Sequence, residues 1–357
     1  MSKILYVASS MSHINNFHLP YIAKLKEEGN TVLVMAKGEG ADFNVPFAKK
    51  ILSLKNLFCR LRIRRILKRE RFDSVVLNTT LAAFHVRRAM KRKDRPRVVN
   101  IVHGYLFSKD VSRLKRKLLI RCEKALAKKT DSIIAMNSSD YEAANEMRLC
   151  LGSVRLIKGM GAKIKEEEMS CDAVRRYTDS EGKFLLGFVG ELSERKNQRF
   201  LICALPEIKM LVPKVELMLV GSGGTEKELR RIAQRLGIYS YIHFTGQRSN
   251  PCDFIRATDI YVSASEIEGM PFNIIEALGC GKTVLCSDVK GHVDLIENGR
   301  TGFLYKFGDV CDFVKKVKEI YDGTLSPDKD AIIKKYEEYS LEGVFAETYS
   351  QIKESII

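Results

Sequence analysis

Lys3–Ser9 reads KILYVAS, Leu19–Asn30 reads LPYIAKLKEEGN, and Thr31–Ala36 reads TVLVMA. The first and third are apolar runs of strand length; the segment between them spaces its apolar residues at helical intervals and stops at Gly29-Asn30. This is a βαβ unit. DSVVLN (73–78), RVVNIVH (97–103), DSIIAM (131–136) and SVRLI (153–157) repeat the theme with helical stretches between them, which predicts a doubly wound, mostly parallel sheet. After the polar segment KIKEEEMSCDAVRRYTDSEG (163–182) the pattern restarts with KFLLGFVG (183–190), VELMLVG (215–221), YIHFTG (241–246), DIYVSAS (259–265) and TVLCS (283–287). The sequence therefore predicts an α/β protein of two Rossmann-like domains, 1–160 and 183–330, with an interdomain cleft. A charged linker at 161–182 joins them, and a polar helical tail, 331–357, returns toward the first domain.

The bulk properties agree with two globular cores. At about 150 residues per domain, 357 residues suit two, and no window of about 18 apolar residues could span a bilayer. MSKILYVASS reads as a buried strand rather than a signal peptide, which predicts a cytoplasmic protein. The nine cysteines are scattered without a CxxC pair, a pattern that indicates neither a disulfide framework nor a zinc site. Charge is the unusual property. Residues 49–129 hold 26 Lys or Arg against five acids, a balance of +21, while the rest of the chain sums to −5. Such asymmetry predicts an anionic partner for the first half, either a membrane surface or a nucleic acid, unless the face is merely solvated.

The chemistry concentrates in SEIEGMPFNIIEALGCGKTVLCS, residues 265–287. Pro271 suits the first turn of a helix running to about Gly279, and the loop before it carries Glu268 and Gly269. A helix start favours an anion, by about 0.3–1 kcal/mol per charge, so a diphosphate would fit there. Glu276 lies about one and a half turns into the helix, so the two carboxylates flank the anion site instead of sharing one face.

EGMPFNIIEA (268–277) resembles the E-x7-E signature of glycosyltransferase family 4, the retaining enzymes with the GT-B fold. GELSERKN (190–197), VGSGGTEKELRRIAQRLGI (220–238), HFTGQRSN (243–250) and GHVDLIENGRTGFLY (291–305) resemble further segments of that family in the same order. The resemblance implies a nucleotide-sugar donor, UDP-linked, bound in the second domain. Lys196 would neutralise the diphosphate with Arg195 as helper, and Gly190 and Gly221 would let backbone approach the ligand. Glu268 would contact sugar hydroxyls, the backbone around Gly269, Met270, Pro271, Phe272 and Asn273 would meet the phosphates, and Glu276 would bind the ribose. Gln247 and Arg248 would lie near the base. Where the family often has Arg after the first of these glycines, Glu191 stands here, as in a subgroup active in capsule and exopolysaccharide assembly.

His103 follows the strand RVVNIV, which places it at a strand's carboxyl end, the edge where open α/β sheets put their ligands. VHGYLFSK (102–109) resembles a family segment whose histidine reaches the donor sugar; His103 and Glu268 are thus the candidate catalytic residues. SSMSHINNFHLPYI (9–22) resembles the family's first loop, implying acceptor contacts from Ser9, Ser10, His13 and Asn16, with His18 as a packing or capping residue. FCRLRIRRILKRERF (58–72) mixes apolar residues with a dense cationic face, the composition of an interfacial helix. The resemblance then implies transfer of a hexose or N-acetylhexosamine to a glycan or polyprenyl-diphosphate-linked acceptor, at the inner face of the cell membrane. No metal and no tightly bound cofactor are expected, because cations and dipoles stabilise the leaving diphosphate, and nucleic acid is not an expected partner. Two alternatives stay open: a nucleotide-sugar epimerase on the same frame, and a basic nucleic-acid-binding protein. A dehydrogenase is disfavoured, since SSMSHINN stands where GxGxxG would follow the first strand.

Overall fold

The computed structural model describes residues 1–48, 53–91, 95–107 and 112–357. Two compact units divide the chain: Met1–Gly161 together with Glu342–Ile357, and Ala162–Leu341.

The first unit is built on a seven-stranded parallel sheet. Its strands are β1 (Lys3–Val7), β2 (Thr31–Ala36), β3 (Phe43–Asn44), β4 (Ser74–Leu77), β5 (Arg97–Val102), β6 (Ser132–Ala135) and β7 (Val154–Leu156), in the order β3-β2-β1-β4-β5-β6-β7. The second carries β8 (Phe184–Val189), β9 (Val215–Val220), β10 (Ile242–Gly246), β11 (Ile260–Ser263), β12 (Thr283–Ser287) and β13 (Phe303–Tyr305), in the order β10-β9-β8-β11-β12-β13. Both orders reverse direction beside their first strand, the doubly wound arrangement that puts a ligand crevice at the carboxyl ends of the strands. The apolar runs are continuous because helices cover both faces: β4 and β9 are buried along their whole length. At about 1.5–3 kcal/mol per fully buried large aliphatic side chain, these strands are the main source of each unit's stability. The two-residue β3 and the three-residue β13 are strands that apolar patterning does not announce.

Two boundaries differ from the sequence reading. The stretch 161–182 is not a free linker: from Ala162 onward it belongs to the second unit. It contains a helix, Cys171–Tyr177, capped by the Ser170 hydroxyl, with Val174 packed against Leu185, Met218 and Phe254. Its high polarity disguised a helix that buries a single residue. The tail also divides. The helix Lys329–Tyr339 stays with the second unit, whereas Leu341–Ile356 runs along the first, where Thr348 donates to the carbonyl of Gly159 and Arg97 to that of Ser355.

The basic half is not uniformly a surface feature. Arg87 is fully buried on the helix Thr80–Ala89, paired with Glu123 at 3.0 Å and bonded to Thr130 and to the Ala83 carbonyl. Among the described residues no helix is long and apolar enough to cross a membrane.

In the second unit the loops after β8 and β9 are pressed together. A Cβ on Gly221, whose φ is +137°, would lie 2.0 Å from the carbonyl oxygen of Gly190. Gly221→Ala is therefore expected to lower the thermal unfolding midpoint by about 5–10 °C. Gly224→Ala, where a Cβ meets nothing within 4 Å, should stay within about 2 °C of the parent.

Candidate functional site

In the second unit the site is assembled at the carboxyl ends of β8 and β11. The chain leaving β8 makes a single tight turn at Glu194–Lys196. The chain leaving β11 runs through Glu268 into the helix Phe272–Gly279, with Pro271 at the cap position rather than inside the first turn. The two loops are clasped. Glu266 donates its backbone N–H to the Arg195 carbonyl at 2.9 Å, and Arg195 donates to the Ile267 carbonyl at 3.0 Å. At the centre the Glu268 carboxylate receives Lys196 Nζ at 2.7 Å on one oxygen and Arg195 Nη1 at 2.8 Å on the other. Burial alone would raise this carboxyl's pKa, but Lys196 and Arg195 outweigh it and hold the group at about 2. Two cations around one carboxylate leave a net positive charge beside the helix start, which suits a polyanion.

Glu276 is in the opposite state. Burial pushes its carboxyl up to about 8, Cys252 adds to the effect, and Lys165 only partly offsets it. At neutral pH Glu268 is thus ionised and Glu276 largely protonated, a separation set wholly by surroundings. A neutral carboxyl can both donate and accept a hydrogen bond, which matches a pair of vicinal hydroxyls. Between the two glutamates lies the fully buried Tyr261, whose hydroxyl bonds the backbone N–H and carbonyl of Val189, both at 3.2 Å, and receives the Asn273 amide at 2.8 Å. Asn273 also donates to the Val189 carbonyl. Its visible task is to fasten the helix start to the end of β8.

Gly269, Met270 and Pro271 are buried in the loop, and Phe272 is half-buried. Gly190 and Gly221 are in mutual contact, so close packing of loops accounts for both. Gln247 is exposed beyond β10, while Arg248 lies over the rings of Tyr177 and Phe254 and donates to the Tyr177 hydroxyl. Glu191 is exposed and offers its carbonyl to Gln198. A cavity of about 300 Å³ beside the loop is lined by Glu194, Glu228 and Glu266 against one cation, Arg199, an excess of negative charge that disfavours a diphosphate.

In the first unit the loop after β1 turns into the helix Met11–Phe17. Ser10 caps it, accepting from the His13 N–H at 3.4 Å, and Ser9 is tied to Thr79 by its backbone N–H and its hydroxyl, at 2.9 and 2.7 Å. Asn16 is exposed on that helix. His103 emerges after β5, and its ring meets that of His13 edge to face with centroids 4.5 Å apart. His18 joins them, its Nε2 3.3 Å from that of His13. His18 is the junction between the helices Met11–Phe17 and Leu19–Glu27, a position at which it meets His13 as well as packing, the role that the sequence alone suggests for it.

Residues 172–338 match the glycosyl transferases group 1 family, and residues 22–157 match glycosyltransferase family 4. The chain is a family 4 glycosyltransferase. This glycosyltransferase is 28% identical over 332 residues to EpsD of Bacillus subtilis (strain 168), named as a glycosyltransferase, covering 89% of this chain and 87% of the other. It is 25% identical over 309 residues to the Escherichia coli UDP-Gal:alpha-D-GlcNAc-diphosphoundecaprenol alpha-1,3-galactosyltransferase, covering 83% of this chain and 79% of that one. Its fold matches that of Anabaena Alr3699/HepE, solved in complex with UDP and glucose, with a TM-score of 0.80 at 21% identity over 99% of this chain and all of the other.

The opposed states of the two glutamates give this glycosyltransferase a distinct pH signature. Glu268, its carboxyl depressed to about 2, supplies stability that is present above about pH 4.5 and lost as pH falls toward 2. Glu276, raised to about 8, contributes relative stability that is complete below pH 4.5 and lost as pH rises through about 8. Glu276→Gln should remove the second dependence: denaturant titrations between pH 5 and 9 should show the parent losing on the order of a few kcal/mol relative to the variant. Parallel curves would mean that Glu276 is solvated and ordinary.

Proposed function

We propose that this glycosyltransferase moves a hexose or N-acetylhexosamine from a UDP-linked donor, with retention at the anomeric carbon, to a polyprenyl-diphosphate-linked or growing glycan acceptor in cell-surface polysaccharide synthesis. The observation that carries the reading is the Lys196–Glu268–Arg195 cluster, its carboxylate and lysine buried, at the start of the Phe272–Gly279 helix. The nucleotide-bound structural relative and the relative named for a diphosphoundecaprenol acceptor support the donor and acceptor classes.

In this reading Lys196, Arg195 and the helix start hold the donor diphosphate. Glu276 takes the ribose hydroxyls, and the backbone of Gly269 to Phe272 lies along the phosphates. Glu268, fixed by its two cations, presents its carboxylate to the sugar, and His103 steadies a sugar hydroxyl or the charge on the departing group. The bond from the anomeric carbon to the diphosphate oxygen breaks as the acceptor oxygen approaches from the same face. The acceptor's proton passes to the departing phosphate oxygen. The protein's contribution is electrostatic: preset positive charge meets negative charge as it develops on the leaving group.

Lys196→Ala should lower kcat/KM for UDP release in the presence of a lipid-diphosphate acceptor by about 10²–10³, and Glu276→Ala should raise the KM for the donor. Near-parental activity in both variants, with unfolding midpoints unchanged, would overturn these roles. Product analysis separates transfer from epimerisation, since an epimerase converts the donor without an acceptor.

The acceptor class gives the basic half a use. Leu57, Phe58 and Leu61 on the helix Leu54–Glu70, and Leu114 and Leu118 on Arg113–Leu126, are exposed among Lys and Arg side chains. Each cation near an anionic bilayer contributes about 1 kcal/mol, and the apolar side chains can enter the interface. Lys49, Lys50, Arg92, Lys93 and Lys109, part of the same charge excess, lie outside the described residues. The protein should float with anionic vesicles at low salt, and Phe58→Ser/Leu114→Ser/Leu118→Ser should lose most of that binding. Duplex DNA binding that exceeds vesicle binding over the same salt series would reverse the assignment.

A further inference from the structure

His13, His18 and His103 converge at the carboxyl edge of the first unit's sheet. One ring nitrogen from each lies within 4.8 Å of the others, and no other cluster of three such groups stands among the described residues. His18 is buried at the floor, while His13 and His103 are half-buried at the rim. Phe17 and Tyr6 flank the rings, with centroids 5.0 Å from His13 and 6.0 Å from His18.

Three imidazoles turned toward one point offer lone pairs to a shared centre. They are good ligands for a borderline-soft divalent cation, to which each offers one lone pair. Four-coordinate zinc with Zn–N distances of about 2.0–2.1 Å places neighbouring ligand nitrogens about 3.3 Å apart. His13 Nε2 and His18 Nε2 already stand at 3.3 Å. The third nitrogen needs to approach by roughly 1.5 Å at most, within the range of side-chain rotation. Two further observations point to a missing partner. His103 Nε2 is buried without a hydrogen bond, which leaves a lone pair free for a ligand. The His13 ring is also bonded to the main chain of Asn78, the kind of outer contact that orients a metal-binding imidazole.

We propose that His13, His18 and His103 form a binding site for a divalent transition metal, zinc by its ligand chemistry, with a fourth position open on the exposed side to an oxygen ligand. The site lies wholly in the first unit and stands independently of the donor reading. It also engages His103, so metal occupancy and a sugar contact through that ring exclude one another, and added zinc slows transfer instead of supporting it.

Cobalt(II) titration of the chelator-stripped full-length chain tests the site. One equivalent should give the visible absorption of four- or five-coordinate cobalt without a near-ultraviolet thiolate band, and zinc should displace it. His103→Ala and His13→Ala should each weaken cobalt binding by at least about 100-fold, with unchanged far-ultraviolet circular dichroism. His18→Gln, which keeps the volume of the buried ring more nearly than alanine, should do the same. No visible band at millimolar cobalt, a band unaltered in His103→Ala, or a thiolate band from the cysteines would each overturn the proposal.

Discussion

The second unit's site depends on one carboxylate that cannot leave its place. Glu268 is almost wholly removed from water, and a charge so placed is tolerated only because Lys196 and Arg195 meet both of its oxygens. Removing one partner of such a group typically costs about 3–5 kcal/mol, so the three side chains behave as a unit. The unit joins loops that come from different strands. Arg195 binds the Ile267 carbonyl as well as Glu268, and Gly291 lies so close that a Cβ there would come 2.9 Å from the Glu268 Cβ. The rigidity of the notch and its positive polarity therefore have one source.

The same region holds a second carboxyl in the reverse condition. Glu276 lacks a cation strong enough to overcome its burial: Cys252 adds to the rise and Lys165 only partly opposes it. Two glutamates eight positions apart thus carry different charges at neutral pH. One is a fixed anion within a cationic clasp; the other is a neutral donor and acceptor. Tyr261 and Asn273 hold the strand end and helix start between them in register, so the difference is maintained by the backbone as much as by charge.

Much of this was legible in the residues. Both parallel sheets follow from apolar runs alternating with helical spacing, and the loop from Ser265 through Pro271 announces itself by its break in pattern before a helix. What escaped was short or tertiary. β3 has two residues and β13 three, below the length at which periodicity is readable. The helix Cys171–Tyr177 buries only Val174, so a polar composition concealed it. The opposite protonation of Glu268 and Glu276 depends on which cations fold against them, and spacing along the chain holds no record of that. Nor does the chain announce the tie between Asn273 and β8, or the return of His18 toward His13 and His103.

The chain passes from the first unit to the second after Gly161 and comes back after Leu341. Its last helix supplies side chains that the first unit needs: Phe345 stacks on Tyr21 at 5.1 Å, Gln351 and Glu354 hold Arg155, and Lys353 meets Glu28. During vectorial synthesis on the ribosome, the first sheet emerges early yet waits for the helix Leu341–Ile356, which follows the whole of the second unit, before its packing is complete. The second unit, contiguous in sequence, can mature in the meantime, so the unit begun second is the one able to finish first.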